Sequence, residues 1–205
     1  MATEKSMVEK ISGALTTSVL MTAVGVVSGN PFAAFLPLLA ATPAAQRHKK
    51  RIEASLTDLN ERLAHLESHV EKLTDAQLQY VGELANSIIR TTNDEKIEIL
   101  KHAIEKGIIS ASPIERSGGQ LARLLRDITP EEAAFLLDHE KYKEILVDFD
   151  DTNDSSVATV KKGTRKYELL GGLLTLGLLH YSQHRLQVDA YYFSDIAEEL
   201  VEVLK

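Results

Sequence analysis

The chain has 205 residues, 44% apolar and 26% charged, which is enough to bury a core and excludes general disorder. It carries no cysteine, so disulfides, thiolate catalysis and cysteine-ligated zinc are ruled out. A net charge of -7 argues against attraction of the whole surface to nucleic acid, while leaving room for a local basic patch.

The first 46 residues stand apart. Ile11 to Gln46 holds 36 residues without one ionisable side chain, and it abuts the basic run Arg47-His48-Lys49-Lys50-Arg51. As a helix, Ile11 to Gly29 would reach roughly 28 Å, close to a hydrocarbon core of about 30 Å. Nine of those 19 residues are Ser, Thr or Gly, so the segment is uncharged more than greasy. Gly25 and Gly29 form a GxxxG, the spacing that lets helix backbones approach closely. Asn30-Pro31 marks a turn, and Pro37 and Pro43 interrupt the second half of the stretch. Arg47, Lys49, Lys50 and Arg51 form the membrane-flanking basic set, which by the positive-inside rule keeps the body in the cytoplasm. Two localisations are compatible with this pattern: inner membrane with a cytoplasmic body, or cytoplasm if the N-terminal hairpin is buried in an oligomer.

Residues 47–74 read as a coiled-coil helix. Ile52, Leu56, Leu59, Leu63, Leu66, Val70 and Leu73 step by four and three without an error, the a/d pattern of a seam between helices. With Gly25 and Gly29 they are the candidate oligomerisation residues. A single amphipathic helix folded onto its own body is the competing reading. His65 and His69 lie four apart, but HLESH is not the HExxH of a zinc protease.

Residues 75–111 form a helical middle. A helix is expected over Asp75 to Arg90, then a capping box from Thr92 to Glu95 and a helix stopped by Gly107 as its C′ residue. Residues 112–205 read as a winged-helix-like unit. Ser112-Pro113-Ile114-Glu115 and Thr129-Pro130-Glu131-Glu132 are helix starts. Ile145 to Thr152 matches hhhDxDxT, the pattern of a phosphoryl-accepting aspartate. Without alternating strands and helices around it, the match is read as chance and residues 148–156 as an acidic linker. Lys161, Lys162, Arg165 and Lys166, candidate phosphate contacts, then lead into a helix ending in Leu176-Gly177-Leu178-Leu179. A small β-hairpin around His180 to Phe193 comes next, and Ser194-Asp195 opens the last helix. Beyond Glu168 the would-be recognition helix has no charge and no amide with which to read bases.

The fold class expected is therefore mainly α: a hydrophobic N-terminal helical segment, a long coiled-coil helix, a helical middle and a winged-helix-like end with a small hairpin. Tyr80-Val81-Gly82-Glu83-Leu84-Ala85, Thr92-Asn93-Asp94-Glu95-Lys96 and Leu176-Gly177-Leu178-Leu179 resemble bacterial helical proteins of the abortive-infection alpha type. That resemblance implies a part in phage defence through membrane damage or signalling. No Walker, dinucleotide or nucleophile-elbow motif occurs, so no enzyme activity and no cofactor are expected. The expectation is a non-enzymatic, membrane-associated homo-oligomer with a cytoplasmic partner-binding or sensing body, touching lipid and a protein partner. The alternative is a soluble winged-helix regulator associated with DNA.

Overall fold

The computed structural model describes residues 43–66, 69, 72–149, 155–183 and 188–205, and over these the chain is mainly helical with one small sheet. Residues 1–42, with Gly25 and Gly29, lie outside the described residues, as do Val70 and positions 150–154. Two compact units divide the chain at Ala122 and Arg123, inside a helix.

The first unit contains α1 (Pro43–Ala64), α2 (Asp75–Arg90), α3 (Asp94–Ile109) and most of α4 (Ala111–Asp127). The heptad pattern does not become one helix. α1 ends at Ala64, Leu66 and Leu73 are half-buried beyond its end, and Thr74 opens α2 with a full capping box to Gln77. Ile52, Leu56, Leu59 and Leu63 are instead buried within this unit, none more than 5% exposed. Buried side chains of this size contribute about 1.5–3 kcal/mol each. These four positions of the seam are thus covered within the protomer.

Polar contacts set the direction of the helices. Gln77 Nε2 donates to Gly107 O at 2.8 Å, and the Tyr80 hydroxyl donates to Ala103 O at 3.3 Å, so α2 and α3 run antiparallel. Arg51 of α1 meets Asp94, and Arg62 meets Glu98, so α1 runs alongside α3 in the same direction. Arg62, which a parallel coiled coil would aim at a partner's Glu67, is thus taken by Asp58 and Glu98.

In the first unit, three boundaries differ from the sequence reading by small steps. Asn93, one residue after Thr92, caps α3 by accepting from Lys96 N at 2.9 Å. α4 begins at Ala111, ahead of Ser112. Gly107 is not a C′ residue, because α3 continues to Ile109. Its glycine is required for another reason: a Cβ there would lie 2.4 Å from Cε1 of the buried Tyr80 ring.

The second unit takes the end of α4, then α5 (Pro130–His139), β1 (Glu144–Val147), β2 (Val157–Val160), α6 (Arg165–Thr175), β3 (Leu179–Gln183), β4 (Asp189–Phe193) and α7 (Asp195–Leu204). The expected capping box at Thr129 is present, with Glu132 reaching back to Thr129 N at 2.8 Å. The hairpin is also present, as β3 antiparallel to β4. Unforeseen are two further strands, which make a sheet of order β2-β1-β4-β3. β1 pairs antiparallel with β4 and parallel with β2, and the acidic stretch 148–156 joins the parallel pair. Ile145, Leu146 and Val147 are all buried. Since neighbouring strand side chains point to opposite faces, β1 is covered on both.

α6 closes with a Schellman motif. Gly177, at φ 72°, donates from its N–H to Leu174 O at 3.0 Å, and Leu178 N donates to Leu173 O at 2.9 Å. Leu173 and Leu178 are both fully buried, the apolar contact that accompanies this motif. Ser194, expected as the cap of the last helix, donates from its hydroxyl to Gly177 O at 2.8 Å and so ties α7 to this turn.

The two helical glycines of unlike surroundings give a paired test. Gly119→Ala, with open space around the new methyl, should gain up to about 1 kcal/mol from helix propensity. Gly107→Ala should lose about 1–3 kcal/mol, as overpacking against Tyr80 outweighs that gain. Urea unfolding of both variants measures the opposite signs.

Candidate functional surface at the start of α6

The four basic residues singled out from the sequence surround the turn from β2 into α6. Gly163 takes φ 74°, and Thr164 caps the helix by accepting from Tyr167 N. Its hydroxyl also donates to Lys161 O at 2.7 Å. The parallel pairing places the end of β1 beside this turn. Asp148, at φ 53°, accepts from Lys162 N at 2.8 Å and donates its own N–H to Val160 O at 2.9 Å. Aspartate is among the few side chains that tolerate the left-handed region. The first aspartate of the phosphatase-like pattern therefore serves as a clasp on the β2–α6 turn.

Lys162 and Arg165 meet acids here. Lys162 Nζ lies 3.3 Å from Asp189 and 4.0 Å from Asp148. Asp189 also accepts from the Tyr181 hydroxyl at 2.9 Å across the hairpin. These contacts hold the Asp189 carboxyl below the usual carboxylate range, the tyrosine hydrogen bond first and Lys162 next. The same contacts raise the Lys162 ammonium and the Tyr181 phenol, in both cases chiefly through the hydrogen bond with Asp189. Arg165 donates from Nη1 to Glu168 at 2.8 Å and from Nε to Glu131 of α5 at 2.7 Å. Lys161, Lys162, Arg165 and Lys166 thus share this surface with Asp148, Asp189, Glu131 and Glu168, four charges against four. A phosphate would have to compete with carboxylates already in place.

Sequence reading missed Tyr181 and Asp189 as members of this network. The hairpin register would have supplied them, because Tyr181 and Asp189 are diagonal neighbours once Gln183 pairs with Asp189. The contact between Asp148 and Lys162 had no local signal, since it depends on a parallel pairing. Among the described residues, no group of three or more His, Asp or Glu is placed to hold a metal ion.

The remaining sequence-derived cations lie in the first unit. His48 Nε2 is 3.1 Å from Ile89 O, Arg51 donates to Thr92 O at 2.6 Å, and the two side chains meet each other at 2.9 Å. They satisfy carbonyls at the C-terminal end of α2, where the charge of Arg51 is favoured by the helix dipole. Lys49 lies 3.8 Å from Glu53, while Arg47 and Lys50 are exposed. A second cluster joins α1 to α3: Lys101, only 4% exposed, lies between Asp58 at 2.5 Å and Glu98. The Lys101 hydrogen bond, more than any other contact, holds the Asp58 carboxyl below its ordinary range.

No family model, curated protein or solved structure matches the chain.

Lys166 also acts on His139, the buried residue that ends α5. The His139 ring stacks on Phe135 with centroids 4.0 Å apart, and Nδ1 lies 2.8 Å from Phe135 O. Burial lowers its affinity for a proton, with Lys166 and Lys141 adding to the effect against Asp138 and the Phe135 carbonyl. A lowered folded value means the unfolded chain takes up the proton first. The contribution is therefore complete above the ordinary value of 6.5 and is lost as pH falls through the lower folded value. Urea midpoints measured across this window should fall for the parent and lose that component in His139→Gln. Equal pH slopes for the two proteins would remove His139 as the cause.

Proposed function

We propose that the chain is a non-enzymatic, membrane-associated protein with a helical cytoplasmic body that binds a protein partner. The observation that carries this reading is the uncharged run Ile11 to Gln46 ending at five consecutive basic residues. No other part of the sequence has such a run, and a stretch of that length without charge needs either lipid or protein around it. The segment itself lies outside the described residues, apart from the four that begin α1. Among the described residues no helix is long and apolar enough to cross a membrane. Insertion into the bilayer is thus assigned to residues 11–42, and the helices after them to the body.

Two features favour a protein partner over nucleic acid. At the start of α6, Lys162 and Arg165 are held by carboxylates, which lowers the positive charge on offer to a phosphate. Further along, α6 exposes Gly171, Leu174 and Thr175 without a charge among them, and Tyr181 of β3 is 52% exposed. Uncharged surface of this kind suits protein contact better than a phosphate backbone. Homo-oligomerisation in this reading rests on the Gly25–Gly29 pair, since the α1 seam is occupied by the protomer's own core. The setting in phage defence is supported by the abortive-infection resemblance alone.

The regulator reading draws on the order α6, β3, β4, which is that of a recognition helix followed by a wing. Against it, β2 stands immediately before α6, where a helix-turn-helix requires a helix. Fractionation of cells carrying the full chain decides between the two. The full chain should stay with the membrane pellet through high salt, and a chain without residues 1–42 should move to the supernatant with its helical signal intact. A full chain recovered from the supernatant as a defined oligomer, with salt-sensitive duplex binding, would support the regulator instead.

A further inference from the structure

The basic run after the uncharged stretch is divided by the fold into two pairs with different work, an inference that rests on the membrane-associated reading. Read along the sequence, Arg47, His48, Lys49, Lys50 and Arg51 form one block of charge. On α1 they do not act as one. His48 and Arg51, three residues apart, share a face and turn inward to the carbonyls of Ile89 and Thr92. Arg51 also lies 3.4 Å from Asp94, so an acid of the body stands beside its charge. Lys49 is matched by Glu53, one turn along. Arg47 and Lys50 are again three apart, which places them together on another face, and both are exposed. They are the first exposed cations after the 36 uncharged residues.

We propose that Arg47 and Lys50 form a two-residue contact for anionic lipid headgroups at the membrane-proximal end of α1, while His48 and Arg51 fasten that end to the body. The fit is one of position and charge. A segment that enters or lies on a bilayer brings the next turn of helix to the headgroup level. There each exposed cation gains from the negative surface potential, and the gain fades within a Debye length of about 8 Å. Acids on the same helix begin at Glu53, and Asp94 is engaged by Arg51.

The test uses the full chain and flotation with two kinds of vesicle, phosphatidylcholine alone and phosphatidylcholine with phosphatidylserine in equal parts. The parent should prefer the anionic vesicles, and rising salt should weaken the preference. Arg47→Gln with Lys50→Gln should reduce that preference about 30-fold, roughly fivefold per cation, with binding to phosphatidylcholine unchanged. Arg51→Gln with Asp94→Asn removes an ion pair without changing the net charge, so it should keep the preference and lower the melting temperature. Retention of the preference in the first double variant would overturn the proposal while leaving membrane association standing. Loss of the preference in the second double variant would also overturn it, by showing that the run acts undivided. Failure of the parent to float with either vesicle would remove the membrane reading and this proposal together.

Discussion

Helix α1 puts Ile52, Leu56, Leu59 and Leu63 into the interior of the first unit, and how α1 sits in that unit depends on this burial. The stripe alone would allow α1 to rotate or slide. Polar contacts at both ends prevent that: His48 and Arg51 hold the carbonyls of Ile89 and Thr92, and Asp58 with Arg62 meets Glu98 and Lys101. Lys101 is the costly member, because a nearly buried ammonium is tolerable only with carboxylates beside it. Register is thereby set by charge, and stability chiefly by apolar burial.

Much of the local structure could be read from the sequence because it is decided locally. Asp75 to Arg90 has the bounds its periodicity suggested, and the Thr129–Glu132 capping box needs only residues three apart, whereas the helix read on to Leu179 stops at Thr175, ahead of Gly177. The heptad pattern was legible too, but its partner was not. An a/d stripe looks the same whether it packs on a second chain or on a neighbouring helix of its own chain. What decided between them is long-range: α3 supplies both the apolar surface and the charges that Arg62 and Asp58 need. Gly107 illustrates the same limit. A glycine near a helix end suggests a stop, and only the distant Tyr80 ring explains why it sits inside the helix.

The surface at the start of α6 was half legible. The cations were visible as a run, whereas the pairing of Lys162 and Arg165 was not, because Glu131, Asp148 and Asp189 come from three other segments. β1 and β2 bring Asp148 to Lys162 through a parallel pairing, which leaves no short-range mark on the sequence. Ile145 to Val147 did carry a signal, as a short apolar run of the kind found in strands buried on both faces. The aspartate after it drew attention as chemistry, and in the fold it is a clasp on a turn.

The central structural claim is that the seam of α1 belongs to the protomer's own core. Equilibrium unfolding of Leu59→Ala, compared with the parent over a wide range of protein concentration, addresses it most directly. Leu59 is fully buried, so its truncation should cost about 2–5 kcal/mol, with the same loss at every concentration. A loss that grows or shrinks with protein concentration, or a variant as stable as the parent but changed in oligomeric state, would show that the seam joins separate chains.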